Sequence, residues 1–114
     1  MSPTAGLAVV TERLGQRATL RVQGELDVTN RDVLHGAISS ALENRPPLLV
    51  VDLSGLDFID CAALSVLVRA HGLLAGRGHR LVVTRPKPAV QRLLNLLGLD
   101  AYLQLNDTDA DISR

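Results

Sequence analysis

The chain has few of the residue types on which several functional classes depend. Its 114 residues include one cysteine, one phenylalanine, one tyrosine and no tryptophan. One cysteine cannot form a disulfide within the chain, and no Cys/His spacing typical of a metal site is present. Nucleic-acid-binding proteins usually combine a basic surface with aromatic side chains, whereas this chain has 12 basic and 12 acidic residues. We therefore expect no metal, no cofactor and no nucleic-acid partner.

The chain also lacks a long apolar run. No segment approaches the ~20 apolar residues that span a bilayer, and residues 1–11 do not show the basic region and apolar core of a signal peptide. We therefore expect no membrane insertion and a cytoplasmic location. With 46% hydrophobic and 21% charged residues, the composition is typical of one globular domain with an aliphatic core. We expect a single domain over residues 1–114, ordered at about 7–105, with flexible ends at 1–6 and 106–114.

Hydrophobic periodicity predicts alternating strands and helices. The predicted strands are residues 7–12, 17–24, 48–53, 80–84 and 101–105. The predicted helices begin near Asn30, Asp60 and Pro88 and end near Asn44, Gly76 and Gly98. This order predicts an α/β fold with a mostly parallel sheet of four to five strands, an antiparallel edge and three to four packing helices.

The stretch from residue 48 to residue 77 is the candidate functional region. A turn is predicted at residues 54–57, after which Phe58 and Ile59 are expected to return to the core. The first N–H groups of the following helix have no partner within the helix, so its start, at Cys61, favours an anion or a thiolate. Loops that follow parallel strands lie on one rim of a sheet, which is expected to bring Asp27 close to this stretch.

The helix that starts near Asp60 has two predicted faces. The face expected to pack on the sheet consists of Leu64, Leu67, Val68, His71, Leu74 and Ala75. The opposite face consists of Ser65, Arg69, Gly72 and Gly76, flanked by Ala62, Val66 and Leu73. This outer face is small and mildly apolar with one arginine, which is typical of a partner-docking surface.

Four segments in order resemble the STAS domain, which is shared by bacterial anti-sigma-factor antagonists and the cytoplasmic tails of sulfate transporters. The segments are residues 24–27, 51–56, 58–60 and 88–99, and the resemblance spans residues 7–105. It implies a non-enzymatic STAS-like domain that works by protein–protein contact. The implied partner is an anti-sigma factor that is also a serine kinase of the GHKL ATPase type. The unphosphorylated antagonist binds that kinase and frees the sigma factor.

The sequence departs from the family pattern directly after Asp60. The family has Ser-Ser-Gly-Leu or a close variant, whose first hydroxyl the kinase phosphorylates, whereas residues 61–64 here are Cys-Ala-Ala-Leu. Cys61 therefore occupies the phosphoacceptor position, and the two alanines offer no hydroxyl. The resemblance then implies a chain that is locked in its binding-competent form or is controlled in another way. Three other hydroxyl residues are candidate substitute acceptors: Ser54, Ser65 and Thr84.

The predicted interaction site has two parts. The loop around the phosphosite equivalent comprises Asp57, Asp60, Cys61 and Ala62. The predicted partner-binding residues are Glu25, Asp27, Thr29, Ser65, Val66, Arg69 and Leu73. No catalytic residue is predicted, because His71 lies ~15 Å along the helix from Cys61 at a rise of ~1.5 Å per residue.

Two other functions stay open at the level of the sequence. A STAS domain of this kind is also suited to docking on an ABC-transporter ATPase as an accessory subunit, or to a place in a sensory assembly. Alternatively, Cys61 is a redox-sensing thiol, since the start of a helix lowers the pKa of a thiol. The neighbouring Asp57 and Asp60 act against a thiolate.

Overall fold

The structure, a computed structural model, describes residues 6–103 and 105–106. Its elements in chain order are β1 (Leu7–Leu14), β2 (Arg17–Leu26), α1 (Arg31–Leu42), β3 (Leu48–Ile59), α2 (Cys61–Ala75), β4 (Arg80–Thr84), α3 (Pro88–Leu96), α4 (Leu99–Tyr102) and β5 (Leu105–Asn106). The strands form one sheet in the order β1-β2-β3-β4-β5. The β1–β2 pair is antiparallel and the other pairs are parallel. The predicted α/β fold is confirmed. Apart from Gly6 and Asn106, the segments predicted to be flexible lie outside the described residues.

The core is aliphatic and lies between one face of the sheet and the helices. Along β2, Ala18, Leu20 and Val22 are fully buried, as their alternation with polar residues predicts. The other members of this cluster include Leu34 and Ile38 of α1, Leu49 and Val51 of β3, Leu67 and Leu74 of α2, and Val90 and Leu94 of α3. Val50 and Val82 point to the opposite face and form a second, small cluster. No helix within the described ranges is long and apolar enough to cross a membrane.

The two central strands are longer than predicted. The turn expected at residues 54–57 is wrong, because β3 continues through it to Ile59. The end of β2 pairs with this extension, with Gly24 opposite Leu56 and Leu26 opposite Ile59. Serine and glycine in sequence usually indicate a turn, but here the neighbouring strand supplies hydrogen-bonding partners for the extended backbone.

The pairing of β2 with the extended part of β3 is irregular. The register shifts between Arg21 and Gln23 and again between Gly24 and Glu25, and each time β3 contains one residue more than β2, which is the effect of a β-bulge in β3. Gly24 has φ +106°, and a Cβ atom there would lie 1.8 Å from the carbonyl oxygen of Gly6. Glycine is therefore required where β2 passes close to the backbone that precedes β1.

A buried carboxylate on the second face of the sheet accompanies this extension. Asp52 is 4% exposed, and its Oδ1 accepts a hydrogen bond from the backbone N–H of Ser54 at 2.9 Å. Its Oδ2 lies 3.2 Å from a guanidinium nitrogen of Arg85 and 3.9 Å from Nε of Arg21. The carboxylate is thus paired, as a buried charge must be, and it connects β3 with the residue that follows β4.

Helix α2 is rotated relative to the predicted orientation. The buried residues are Ala63, Leu64, Leu67, Ala70 and Leu74. Ala75, expected against the sheet, is exposed, and Val68 and His71 are half-buried. The two buried alanines allow the helix backbone to approach its neighbours closely, which a pattern based on large apolar residues does not predict.

The C-terminal part of the described chain also differs from the prediction. Gly98 ends α3 in the left-handed conformation, as expected, but the strand predicted at residues 101–105 is wrong for residues 101–103. Residues 99–102 form the helical turn α4, and β5 comprises Leu105–Asn106. The Tyr102 ring packs edge-on against His71 of α2, with ring centroids 4.5 Å apart, a contact that the local sequence cannot indicate.

We expect Gly24→Ala to destabilise the protein by about 2–4 kcal/mol, because the added Cβ would collide with backbone at a positive φ. Urea unfolding measures the change. Gly36→Ala is the matched control, since Gly36 lies inside α1 with no atom within 4 Å of an added Cβ. That change should stabilise by up to about 1 kcal/mol. Equal stability of Gly24→Ala and wild type would contradict the close approach of Gly6 to Gly24.

Candidate functional site

The candidate site lies at the carboxyl ends of β2 and β3, as the topology predicts. Residues 27–30 form the loop between β2 and α1, and only Asp60 separates β3 from α2. The backbone N–H of Asp60 donates to the carbonyl oxygen of Leu26 at 3.2 Å. We refer to these two connections, together with Glu25, Asp57 and Phe58 at the strand ends, as the rim.

The side chain of Asp60 holds the two connections together. Its Oδ1 accepts a hydrogen bond from the backbone N–H of Ala63 at 2.8 Å, which caps α2. Its Oδ2 accepts from the backbone N–H of Val28 at 3.2 Å, in the other loop. The capping role follows the known preference for aspartate at this position, whereas the contact with Val28 depends on the packing of β2 beside β3.

The side chains of Asp27 and Asn30 stabilise the loop between β2 and α1 through hydrogen bonds within it. Oδ1 of Asp27 accepts from the backbone N–H of Thr29 at 2.9 Å and from the Thr29 hydroxyl at 2.5 Å. These bonds, that of the hydroxyl first, hold the pKa of Asp27 below its ordinary value of 3.8. Asn30 is 2% exposed; its Oδ1 accepts from the N–H of Asp27, and its Nδ2 donates to the carbonyl of Glu25. Asn30 precedes α1 as predicted, but its side chain stabilises the loop and does not cap the helix.

Asp57 is engaged as well. Its carboxylate, at the end of β3, forms an ion pair with the ammonium group of Lys87, the residue before α3. Both side chains are exposed, so the pair contributes little to stability. Its effect on the site is that the charge of Asp57 is already partnered within the chain.

The predicted site residues of α2 differ in how far their side chains are exposed. Cys61, Ser65 and Arg69 are exposed and lie one turn apart, and Leu73, the next in this stripe, is 52% exposed. The hydroxyl of Ser65 donates to the carbonyl oxygen of Ala62. Ala62 and Val66 are half-buried, and Val66 packs against the core. Val66 therefore lies at the border of the outer face.

Three exposed apolar residues at the site were missed by the sequence reasoning. Phe58 is 50% exposed, Val28 58% and Leu97 46%. The expectation that Phe58 returns to the core was wrong. Successive side chains of a strand point to opposite faces, so once β3 runs through to a buried Ile59, Phe58 must point outward. The signal that would have found it is the continuity of β3.

Two depressions flank the stripe of Cys61, Ser65 and Arg69. An apolar groove of about 460 Å³ is lined by this stripe and by Leu64, Val68, Leu97 and Leu99. On the other side, a cleft of about 260 Å³ lies between α1 and α2 and is lined by Arg31, Asp32, His35, Ser65, Val66 and Arg69. Within the described part of the chain, no group of three His, Cys, Asp or Glu residues is placed to hold a metal ion. The mixture of apolar and charged groups resembles a protein-binding surface.

We expect Asp60→Ala to lower the free energy of unfolding by about 1–2 kcal/mol, since the α2 cap is lost and the N–H of Val28 loses its acceptor. Asp60→Asn is the matched variant: it keeps one acceptor oxygen and should lose less. Hydrogen exchange checks the cause, because the amides of Ala63 and Val28 should exchange faster in Asp60→Ala. Unchanged protection of both amides would contradict the proposed role.

We expect Thr29→Val to raise the pKa of Asp27 towards its ordinary value, because the hydroxyl is the largest cause of the lowering. The lowered pKa also affects the pH dependence of stability. A carboxylate whose pKa is lowered by folding stabilises the folded state at pH values above its ordinary pKa, and this contribution is lost as the pH falls through the folded-state pKa. NMR titration of the Asp27 carboxyl carbon measures the shift. Thr11→Val, at an exposed position of β1, should leave it unchanged; no response to Thr29→Val would assign the lowering to the backbone N–H alone.

Known proteins share this architecture. The anti-sigma F factor antagonist of Paenibacillus polymyxa is 28% identical over 93 residues, which cover 81% of this chain and 80% of that protein. The crystal structure of an anti-sigma factor antagonist from Mycobacterium paratuberculosis has a TM-score of 0.87 at 29% identity and covers 97% of this chain and 94% of that one. The antagonist SpoIIAA in its unphosphorylated form has the same fold, with a TM-score of 0.79 at 20% identity over 94% of this chain and 95% of that one.

The match to a family profile covers most of the chain. The profile, described as Mlab, STAS domain, matches residues 9–105. This range contains β2, β3 and α2, and with them the rim, Asp60 and Cys61. Sequence and fold therefore agree, and the chain belongs to the STAS domain family.

Proposed function

We propose that this chain is an anti-sigma-factor antagonist that binds an anti-sigma factor by protein–protein contact. The observation that carries the proposal is the position of Cys61 in a STAS fold: it is exposed at the first residue of α2, directly after the capping Asp60. By resemblance to the family pattern, we assign Cys61 to the phosphoacceptor position. The partner that fits this position is a serine kinase of the GHKL ATPase type, and we propose a cytoplasmic location for the chain together with it.

The exposed apolar residues support a docking surface around this position. Phe58 and Val28 lie on the rim, and Leu97 lines the apolar groove that begins at Cys61. Interfaces usually place aromatic and aliphatic anchors among polar groups, and a few such anchors carry most of the binding energy. Phe58 is the strongest candidate anchor, because it is a large aromatic side chain held on a strand.

The thiol at position 61 changes how such binding would be controlled. A phosphate in this position adds nearly two negative charges to a surface that faces the partner, and SpoIIAA is known in unphosphorylated and phosphorylated forms. Cys61 offers no hydroxyl for this step. Of the substitute acceptors, Thr84 is fully buried, while Ser54 and Ser65 are exposed. We propose that the chain binds without release by phosphorylation at position 61.

The test is capture of a partner from a lysate of the bacterial source, with wild type, Cys61→Ser and Cys61→Ala as bait and with or without ATP. Wild type and Cys61→Ala should retain an anti-sigma factor of the kinase type in both conditions, because neither offers a hydroxyl at position 61. Cys61→Ser should become phosphorylated and release it when ATP is added. Mass spectrometry identifies the retained protein and locates the phosphate.

The same assay locates the surface on the chain. Phe58→Ala should weaken binding of the captured kinase by roughly tenfold or more, as loss of an interface anchor does. The matched control is Leu14→Ala, which truncates a side chain that is 71% exposed at the opposite end of the sheet. Recovery of a transporter ATPase in place of the kinase would favour the accessory-subunit function. Binding that oxidant abolishes in wild type but not in Cys61→Ala would favour thiol control.

A further inference from the structure

The charges around the site divide into those used within the chain and those left for a partner. Asp27 is held by Thr29, Asp57 by Lys87, and Asp60 by two backbone N–H groups. Arg31 and Arg69, which line the cleft between α1 and α2, are different. Within the described residues, neither forms a hydrogen bond or an ion pair through its guanidinium. The cleft beside the outer face of α2 therefore offers two guanidinium groups to a partner.

The cleft brings these cations together from two helices. Arg31, Asp32 and His35 come from the first turns of α1, and Ser65, Val66 and Arg69 come from α2. Two guanidinium groups and one carboxylate line the cleft. The start of α1 adds to the positive potential through the helix dipole.

We propose that the α1–α2 cleft receives an acidic segment of the partner protein, whose carboxylates pair with Arg31 and Arg69. The inference rests on the proposed function, since the partner is the anti-sigma factor. Guanidinium groups bind carboxylates through two parallel hydrogen bonds, and two arginines on different helices suit two separate carboxylates. Asp32 and the half-buried Val66 in the lining fit a mixed peptide segment better than a compact phosphate.

The position of the cleft beside the apolar groove indicates the orientation in which the partner docks. Ser65 and Arg69 line both the cleft and the apolar groove, so one partner surface can cover both. The segment over α1 must then be acidic and the segment over Leu97 and Leu99 apolar. Complementary charges of this kind favour one orientation and speed up association more than they raise affinity.

The first test needs no partner. Titration of the ¹⁵N-labelled chain with a hexaglutamate peptide should shift the amide signals of Arg31, His35, Ser65 and Arg69, and a hexalysine peptide should not. The shifts should disappear in the double variant Arg31→Gln/Arg69→Gln and persist in the matched Arg13→Gln/Arg92→Gln, which removes two exposed arginines elsewhere. Inorganic phosphate is the third arm. Binding of phosphate without the peptide, or shifts outside the cleft, would overturn the inference.

The second test uses the captured anti-sigma factor. Arg31→Glu/Arg69→Glu should raise its Kd by roughly tenfold or more at low salt, and the effect should shrink as salt screens the charges. The control Arg13→Glu/Arg92→Glu should bind as wild type does. Normal binding by the cleft variant would overturn the inference and leave the proposed function standing. Absence of any anti-sigma factor on wild type would remove the proposed function, and the peptide titration would still decide whether the cleft takes an acidic segment.

Discussion

The candidate site depends on the carboxylate of Asp60. One oxygen caps α2 through Ala63, and the other holds the loop after β2 through Val28. Two backbone N–H groups from segments far apart in sequence thus share one side chain. These contacts set the position of Cys61 at the start of α2 and keep the Asp27 loop beside it. The surface proposed for the partner is therefore held together by one carboxylate at the carboxyl ends of two parallel strands.

The extension of β3 gives that surface its apolar character. Because β3 runs to Ile59, strand alternation turns Phe58 to solvent while Ile59 stays buried. Two extra residues in β3 accompany this pairing, and Gly24 of β2, opposite Leu56, has a positive φ and lies against the backbone of Gly6. The large apolar side chain of Phe58 is thus exposed and available for contact with a partner. The stability of the sheet and the composition of the site share the same backbone geometry.

The acidic and the basic residues around the site have different proposed roles. Asp27, Asp57 and Asp60 of the rim hold loops and neighbouring segments in place. The guanidinium groups of Arg31 and Arg69 carry the opposite charge in the cleft between α1 and α2. Under the proposed function, the thiol of Cys61 gives the phosphate that would reverse binding no attachment point at residue 61. The proposed affinity and the proposed control of binding then depend on different residues.

The sequence determined the features that depend on neighbours a few residues apart. Alternation along β2, the Asp60 cap, the glycine that ends α3 and the segments shared with the STAS family were all predictable, and with them the fold and the location of the site. Only the tertiary structure decided the exposure of Phe58, the rotation of α2 that buries Ala63, and the meeting of Arg31 with Arg69. Each of these depends on which strand or helix packs alongside. A local hydrophobic pattern carries no information on that choice, because it records the polarity of a side chain and not the surface against which that side chain is placed.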